Sequence, residues 1–425
     1  MSKKNTKARK NEYPFEKLKT RDGKLFDKTI VRNWYIAHEY VRNRLKDVRI
    51  SPTSSEALKV VIEIDNDNKN LMLAVVRQVA LFTHYPNYVE HDKFGHTQPE
   101  TRSVIKIVSK DQDIANILKR EEYLNNLLVY CQYKRNGVEQ NKPGCLIPID
   151  LDIDIVDTYD EQTKESVIRM TASDVQCYKD AGGKGIDTEM AVLSSRVYEI
   201  GAEIDNLPYE DIHDANRYYR ALTIFEHKIL SRDAEALVSS KWDNNQIEVK
   251  TGLSNIFCAD RFESLERSMD LAYEKMRDDY CEKCSKGERN NCDKRCDKEK
   301  KNKCKKNKVT IESCWEKYDY ELAVSEHARW IAEKLILGFR PMNPKERARY
   351  ECLLGNQRKA YAKLLKGDSK ALYEKFPEDY ENKNIDPTHV NLCTFKELRR
   401  IDPDSRRYDS FLMLAIPKIL EKTQR

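Results

Sequence analysis

Cys281, Cys284, Cys292 and Cys296 follow the spacing C-x2-C-x7-C-x3-C, with Cys304 and Cys314 beyond. A close pair followed by a second close pair suits tetrahedral zinc, where thiolates meet the ion at about 2.3 Å. The surrounding Lys and Arg lower thiol pKa values and favour the bound thiolates. The segment has almost no apolar residues to order it, so a structural zinc is the expectation for these four cysteines. The alternative is a basic loop with incidental cysteines. Two other groupings carry chemistry. Arg77 and His84 are seven apart and share a helix face if the helix reaches that far, as an interface anion site. Asp150, Asp152 and Asp154 alternate along one strand, either as a cation site or as a wet edge.

Constellations for catalysis are missing. The eight histidines include no His-Glu-x-x-His, and no Gly-x-Ser-x-Gly elbow occurs. The loop Asp65-Asn66-Asp67-Asn68-Lys69-Asn70 has no glycine and would repel a pyrophosphate. Gly182-Gly183-Lys184-Gly185 lacks P-loop spacing. No NAD or ATP motif is present and no catalytic residue is assigned, so the reading leans away from an enzyme without settling it.

The elements that must position these residues fall into blocks. Residues 1–20 are a basic tail of disordered composition. Residues 21–186 read as a Rossmann-like α/β domain with a parallel sheet. After a short helix over 31–41, the β-branched run 58–65 and the runs 103–108 and 146–156 are its three strands. Helices over 71–82 and 113–130 separate them. The apolar/acidic alternation from Ile149, with Pro148, places the third strand at an edge. Residues 187–275 read as a helical region packing on that domain, with helices over 190–204, 215–229 and 262–273. Residues 276–308 are a basic Cys-rich insert, and 309–425 form a mainly α C-terminal domain.

In that last domain Val324, Ala328, Ile331 and Leu335 form the core stripe of an amphipathic helix, which Gly338 ends. His327, Trp330 and Lys334 form a second stripe about 95° around, at 100° per residue. Farther on stand His389-Val390-Asn391-Leu392-Cys393-Thr394-Phe395-Lys396-Glu397-Leu398 and Tyr408-Asp409. This pattern resembles the ryanodine-receptor (RyR) repeat domain over about residues 320–420, with Val390 and Thr394 where the family has prolines. Residues 55–270 resemble the N-terminal region of uncharacterised bacterial proteins that end in such a domain, and this likeness implies no activity. The RyR resemblance implies a ligand-sensing or adaptor protein, with nucleotide-derived molecules as the suggested ligand. A nucleotide pocket needs aromatic planes for the base and cations for phosphate. The candidates are His327, Arg329, Trp330, Lys334, Phe339, Arg340, His389, Phe395 and Tyr408.

Charge frames the alternatives. The 425-residue chain carries +5, concentrated in residues 1–20 and 281–308, so the rest is net acidic. Such basic runs allow a nucleic-acid-binding protein acting through the insert. A divergent nucleotide-binding enzyme and a protein partner are further alternatives. No run of about 18 apolar residues exists to span a membrane, and the N-terminus lacks a secretory pattern. A cytoplasmic protein is the default expectation.

Overall fold

A computed structural model describes residues 27–88, 101–111, 113–120, 124–140, 149–159, 167–180, 249–285, 310–367, 369–380 and 386–423, with positions 25, 191, 193 and 194. Expected helices over 190–204 and 215–229 lie almost wholly outside them.

The first half is α1 (Lys28–Leu45), β1 (Lys59–Glu63), α2 (Lys69–Phe82), β2 (Ser103–Val108), α3 (Ile114–Arg120) and α4 (Asn125–Tyr130). It continues with β3 (Gln132–Arg135), β4 (Val138–Glu139), β5 (Leu151–Val156), β6 (Ile168–Met170) and α5 (Ala172–Asp180). The strands form one six-stranded sheet in the order β4-β3-β5-β2-β1-β6. All pairs are parallel except β3 with β4. The chain is thus a mixed α/β protein, as expected.

Register follows from burial. Ile105 faces Ile153 and Ile107 faces Ile155 across β2 and β5, all four at most 1% exposed. Each buried side chain of this size contributes roughly 1.5–3 kcal/mol. A one-residue slip in either strand would put Lys106, or Asp152 and Asp154, on that face.

Two expectations are corrected. The strand carrying Asp152 and Asp154 is not an edge, because β5 pairs with β2 on one side and β3 on the other. The hairpin β3–β4 covers it, turning at Asn136 and Gly137, which take φ of 47° and 77°. That left-handed pair fits the primed turn that matches strand twist. The single helix expected over 113–130 is two, α3 and α4.

The second half is α6 (Val249–Ala259), α7 (Phe262–Ser285), α8 (Ile311–Lys317), α9 (Asp319–Ile336), α10 (Pro344–Cys352), α11 (Gly355–Gly367), α12 (Ser369–Lys375), α13 (Phe395–Ile401) and α14 (Pro403–Thr423). α7 runs past residue 275 to Ser285, so the insert's first residues, Cys281 and Cys284 among them, are helical. α9 packs on α2, α4, α6 and α14. Leu322, Ile331 and Leu335 of α9 and Leu412 and Ile416 of α14 share one hydrophobic core with the sheet strands. A smaller core joins Tyr350, Leu365, Phe395 and Leu398 to Ala323, Val324 and Tyr88. No helix among the described residues is long and apolar enough to cross a membrane.

Candidate ligand site at the end of helix α9

α9 carries two polar stripes with opposite fates. On one, Glu326, Arg329 and Glu333 recur at i, i+3 and i+7, each at most 1% exposed. Arg329 donates through Nε and NH2 to Glu326 Oε1 at 2.9 and 2.8 Å, and through NH1 to Glu333 Oε2 at 2.8 Å. Arg261, at the α6–α7 junction, donates to Glu326 Oε2 at 3.1 Å and to the His84 carbonyl. Ser254 completes the shell of Glu333 at 2.7 Å. Arg329 is therefore a structural cation. As a ligand contact it is corrected, because its charge is consumed inside the protein.

The other stripe is His327, Trp330 and Lys334. His327 Nε2 donates to the Cys393 carbonyl at 3.0 Å, and Nδ1 lies 3.4 Å from Asp409 Oδ2. The ring stacks on Trp330 at 5.8 Å and 12°. Burial alone would lower the His327 pKa, but Asp409 and Cys393 outweigh it and push it up to about 10. His327 serves as a buried strut behind Trp330.

Past Ile336 the chain turns through Gly338, whose φ of 83° lets Gly338 N reach Leu335 O (3.0 Å) and Phe339 N reach Lys334 O (2.9 Å). Arg340 then bridges to Thr388, with His389 N donating to Arg340 O at 3.0 Å. Thr388 N donates to Leu365 O at 2.8 Å, which brings the last turn of α11 to the same place. Each helix places a lysine in its final turn, Lys334 and Lys366, where the helix dipole favours cations.

His389 lies among them, edge-on to Trp330 at 4.7 Å and to Phe339 at 5.7 Å. Desolvation, then Lys366, Lys334 and His327, hold its pKa well below 6.5. Its Nδ1 accepts from Asn391 N at 3.3 Å. A neutral ring that accepts at Nδ1 carries its proton on Nε2. The fully buried Thr388 Oγ1 has no hydrogen-bond partner among the described residues. Desolvation lowers the Lys366 pKa, Asp402 opposes this, and Lys334 adds to it, although the residue as a whole is exposed. Lys334 Nζ lies 5.3 Å from the Trp330 ring centre and donates to Glu333 Oε1 at 2.7 Å. That bond uses one of its three donors.

The structure thus gathers Trp330, Lys334, Phe339 and His389 around one spot, with Lys366 and Thr388, which the sequence reading missed. Lys366 was legible only as one of many lysines, because the segment joining it to His389 is not local. Other candidates are corrected. Arg340 is held by Glu346 through both NH groups, each at 2.7 Å. Phe395 is 1% exposed inside the smaller core, so it offers no plane to a ligand. The Tyr408 side chain lies outside the described residues.

Arg77 and His84 do not form an anion pair, because α2 ends at Phe82. Arg77 lies over Trp34 at 4.1 Å. His84 is engaged at Nδ1 by Asp150 (2.5 Å) and at Nε2 by the Ala80 carbonyl (2.7 Å). The acidic strand residues are likewise spent. Besides Asp150, Asp152 meets Arg102 at 3.4 Å, and Asp154 accepts from Gly137 N at 3.3 Å. Among the described residues no group of three or more His, Cys, Asp or Glu could hold a metal. Cys292 and Cys296 lie outside those residues.

Comparison with protein-family models gives no match. Comparison with curated proteins and with solved structures gives none either.

Proposed function

We propose that this chain is a non-enzymatic ligand-sensing or adaptor protein whose ligand is an anionic, nucleotide-derived small molecule. The ligand sits against Trp330 and Phe339, with its phosphate facing Lys334, Lys366 and the Nε2–H of His389. The observation that carries this reading is the meeting of His389, Trp330 and Phe339 with the lysine-bearing last turns of α9 and α11. Like charges repel when nothing binds, and an anion relieves them. The indole offers a plane for a base.

The RyR-like pattern, which runs through His327, Trp330, Gly338 and His389, and a Rossmann-like N-terminal domain belong to the same reading. So does a structural zinc held by Cys281, Cys284, Cys292 and Cys296, of which the first two sit one turn apart at the end of α7. The nucleic-acid alternative rests on the basic insert after Ser285, outside the described residues.

A thermal-shift screen of the full chain tests the reading, using ATP, GTP, NAD and cyclic mononucleotides at about 1 mM, with inorganic phosphate as control. A ligand bound at one hundred times below that concentration adds about 2.7 kcal/mol. The expected result is a rise in Tm with at least one nucleotide that Trp330→Ala and Lys366→Glu abolish. No rise with any nucleotide would overturn it.

A further inference from the structure

Helix α11 carries Arg358, Lys359, Lys363 and Lys366 and no acidic residue. Lys359, Lys363 and Lys366 recur at i, i+4 and i+7, so they share one face. All three are exposed. Tyr361 and Leu365, on the opposite side at 100° per residue, are buried in the smaller core. Arg358 is spent on the Leu353 carbonyl at 2.8 Å and lies 5.1 Å from the centre of the Tyr350 ring.

On α10 and α13 the arginines Arg347, Arg349 and Arg400 are paired. Arg347 meets Glu397 at 2.9 Å, Arg400 meets Glu351 at 2.8 Å, and Arg349 meets Asp379. Lys359, Lys363 and Lys366 have no ion-pair partner among the described residues. Like charges at i and i+4 on a helix repel. A row kept in that state fits a polyanion from outside the fold.

Two features choose the polyanion. The apolar face of α11 is committed to the core, so it cannot enter a lipid surface. The row ends at Lys366, next to Leu365, whose carbonyl accepts from Thr388 N at 2.8 Å beside His389 and Trp330. The rise from Lys359 to Lys366 is about 10 Å, enough to face about three phosphates of one strand. A strand lying along the row therefore reaches the α9 site, and only an unpaired end can offer its base to the indole.

We infer that the α11 lysine row binds the phosphodiester backbone of a single-stranded nucleic acid whose terminal nucleotide occupies the α9 site. This rests on the nucleotide reading of that site.

Calorimetric titration of the full chain at about 50 mM salt tests it, with TMP and with an oligothymidylate of about eight residues carrying a terminal phosphate. A blunt duplex of the same length and oligoglutamate are controls. The oligomer is expected to bind at least about tenfold tighter than TMP and than either control. Lys359→Gln/Lys363→Gln, at two exposed positions, should erase that advantage and flatten the log–log salt slope by about 1.4. The same double variant should leave TMP binding unchanged, and Trp330→Ala should weaken TMP and oligomer alike. If TMP binds and the oligomer binds no tighter, or if its advantage survives the double variant, the inference fails while the reading of the α9 site stands. It also fails if a control binds equally well, or if Trp330→Ala leaves oligomer binding unchanged. If neither TMP nor the oligomer binds, the inference fails, and the thermal-shift screen decides the reading of the site separately.

Discussion

Arg261 and Glu326 stand 65 positions apart, yet their side chains meet at 3.1 Å with neither more than 1% exposed. Glu326 is shared with Arg329, Arg329 with Glu333, and Glu333 with Lys334. Charges of alternating sign therefore run through the interior from the His84 carbonyl to Lys334 at the candidate site. Buried ions cost several kcal/mol each, and only such alternation offsets that cost.

Arg329→Met should destabilise the protein by about 3–5 kcal/mol, since it strands two carboxylates. Denaturant unfolding gives the value, and a loss below about 1 kcal/mol would contradict the network's role. Replacing Arg261, Glu326, Arg329 and Glu333 together by apolar residues of similar size should cost less than Arg329→Met alone, because no buried charge is left without its partner.

Lys366→Ala should separate binding from stability. It removes one of two ammoniums that crowd His389, so the unliganded Tm should hold or rise. Affinity for the nucleotide found in the screen should fall. A clear drop in the unliganded Tm would make Lys366 a structural residue.

Stability should fall as the solution becomes more alkaline. The folded-state pKa of His327 is raised from 6.5 to about 10. Its contribution is complete below 6.5 and is lost as pH climbs through about 10. Burial raises Asp409 from 3.8 to about 6, so folding favours its neutral form and stability is also lost across that lower window. Glu333 and Glu397, both lowered, weaken only below 4.5. Urea midpoints at about pH 7 and 9.5 should therefore differ in wild type and differ less in His327→Gln. Equal slopes would show that His327 is not charged in the fold.

Thr394 caps α13. Its hydroxyl accepts from Glu397 N at 3.0 Å, while its own N–H donates to Glu397 Oε2 at 3.1 Å. Thr394→Ala should cost about 1 kcal/mol. Thr394→Pro should cost more because it also deletes the donated N–H. A stabilising proline would sink this account.

Zinc should appear at about one equivalent per purified chain if the four insert cysteines bind it. Elemental analysis decides. An unchanged zinc content in Cys281→Ser/Cys284→Ser would remove the metal from the proposal.

Local chemistry was legible in the sequence, and partners were not. The β1–α2–β2 unit, the stripe of α9 and the turn at Gly338 follow from periodicity and φ preference alone. Asn136-Gly137, the strongest short hairpin signal, was present and unread; noticing it would have moved β5 from the edge to the interior. Glu326 and Glu333 at i−3 and i+4 likewise marked Arg329 as paired. By contrast, nothing near Asp150 announces His84, and nothing near His389 announces Lys366. Those contacts depend on how distant helices settle, which no short window encodes.

The shared core of α9 and α14 with the sheet has a practical corollary for anyone wishing to cut this gene. A fragment starting near Thr310 would keep the α9–α14 pairing but lose α2, α4 and α6, on which α9 also packs, and the sheet whose core Leu322, Ile331 and Leu335 share. Such a fragment should express as aggregate. Part of the apolar surface of this C-terminal segment is covered only by the residues before it.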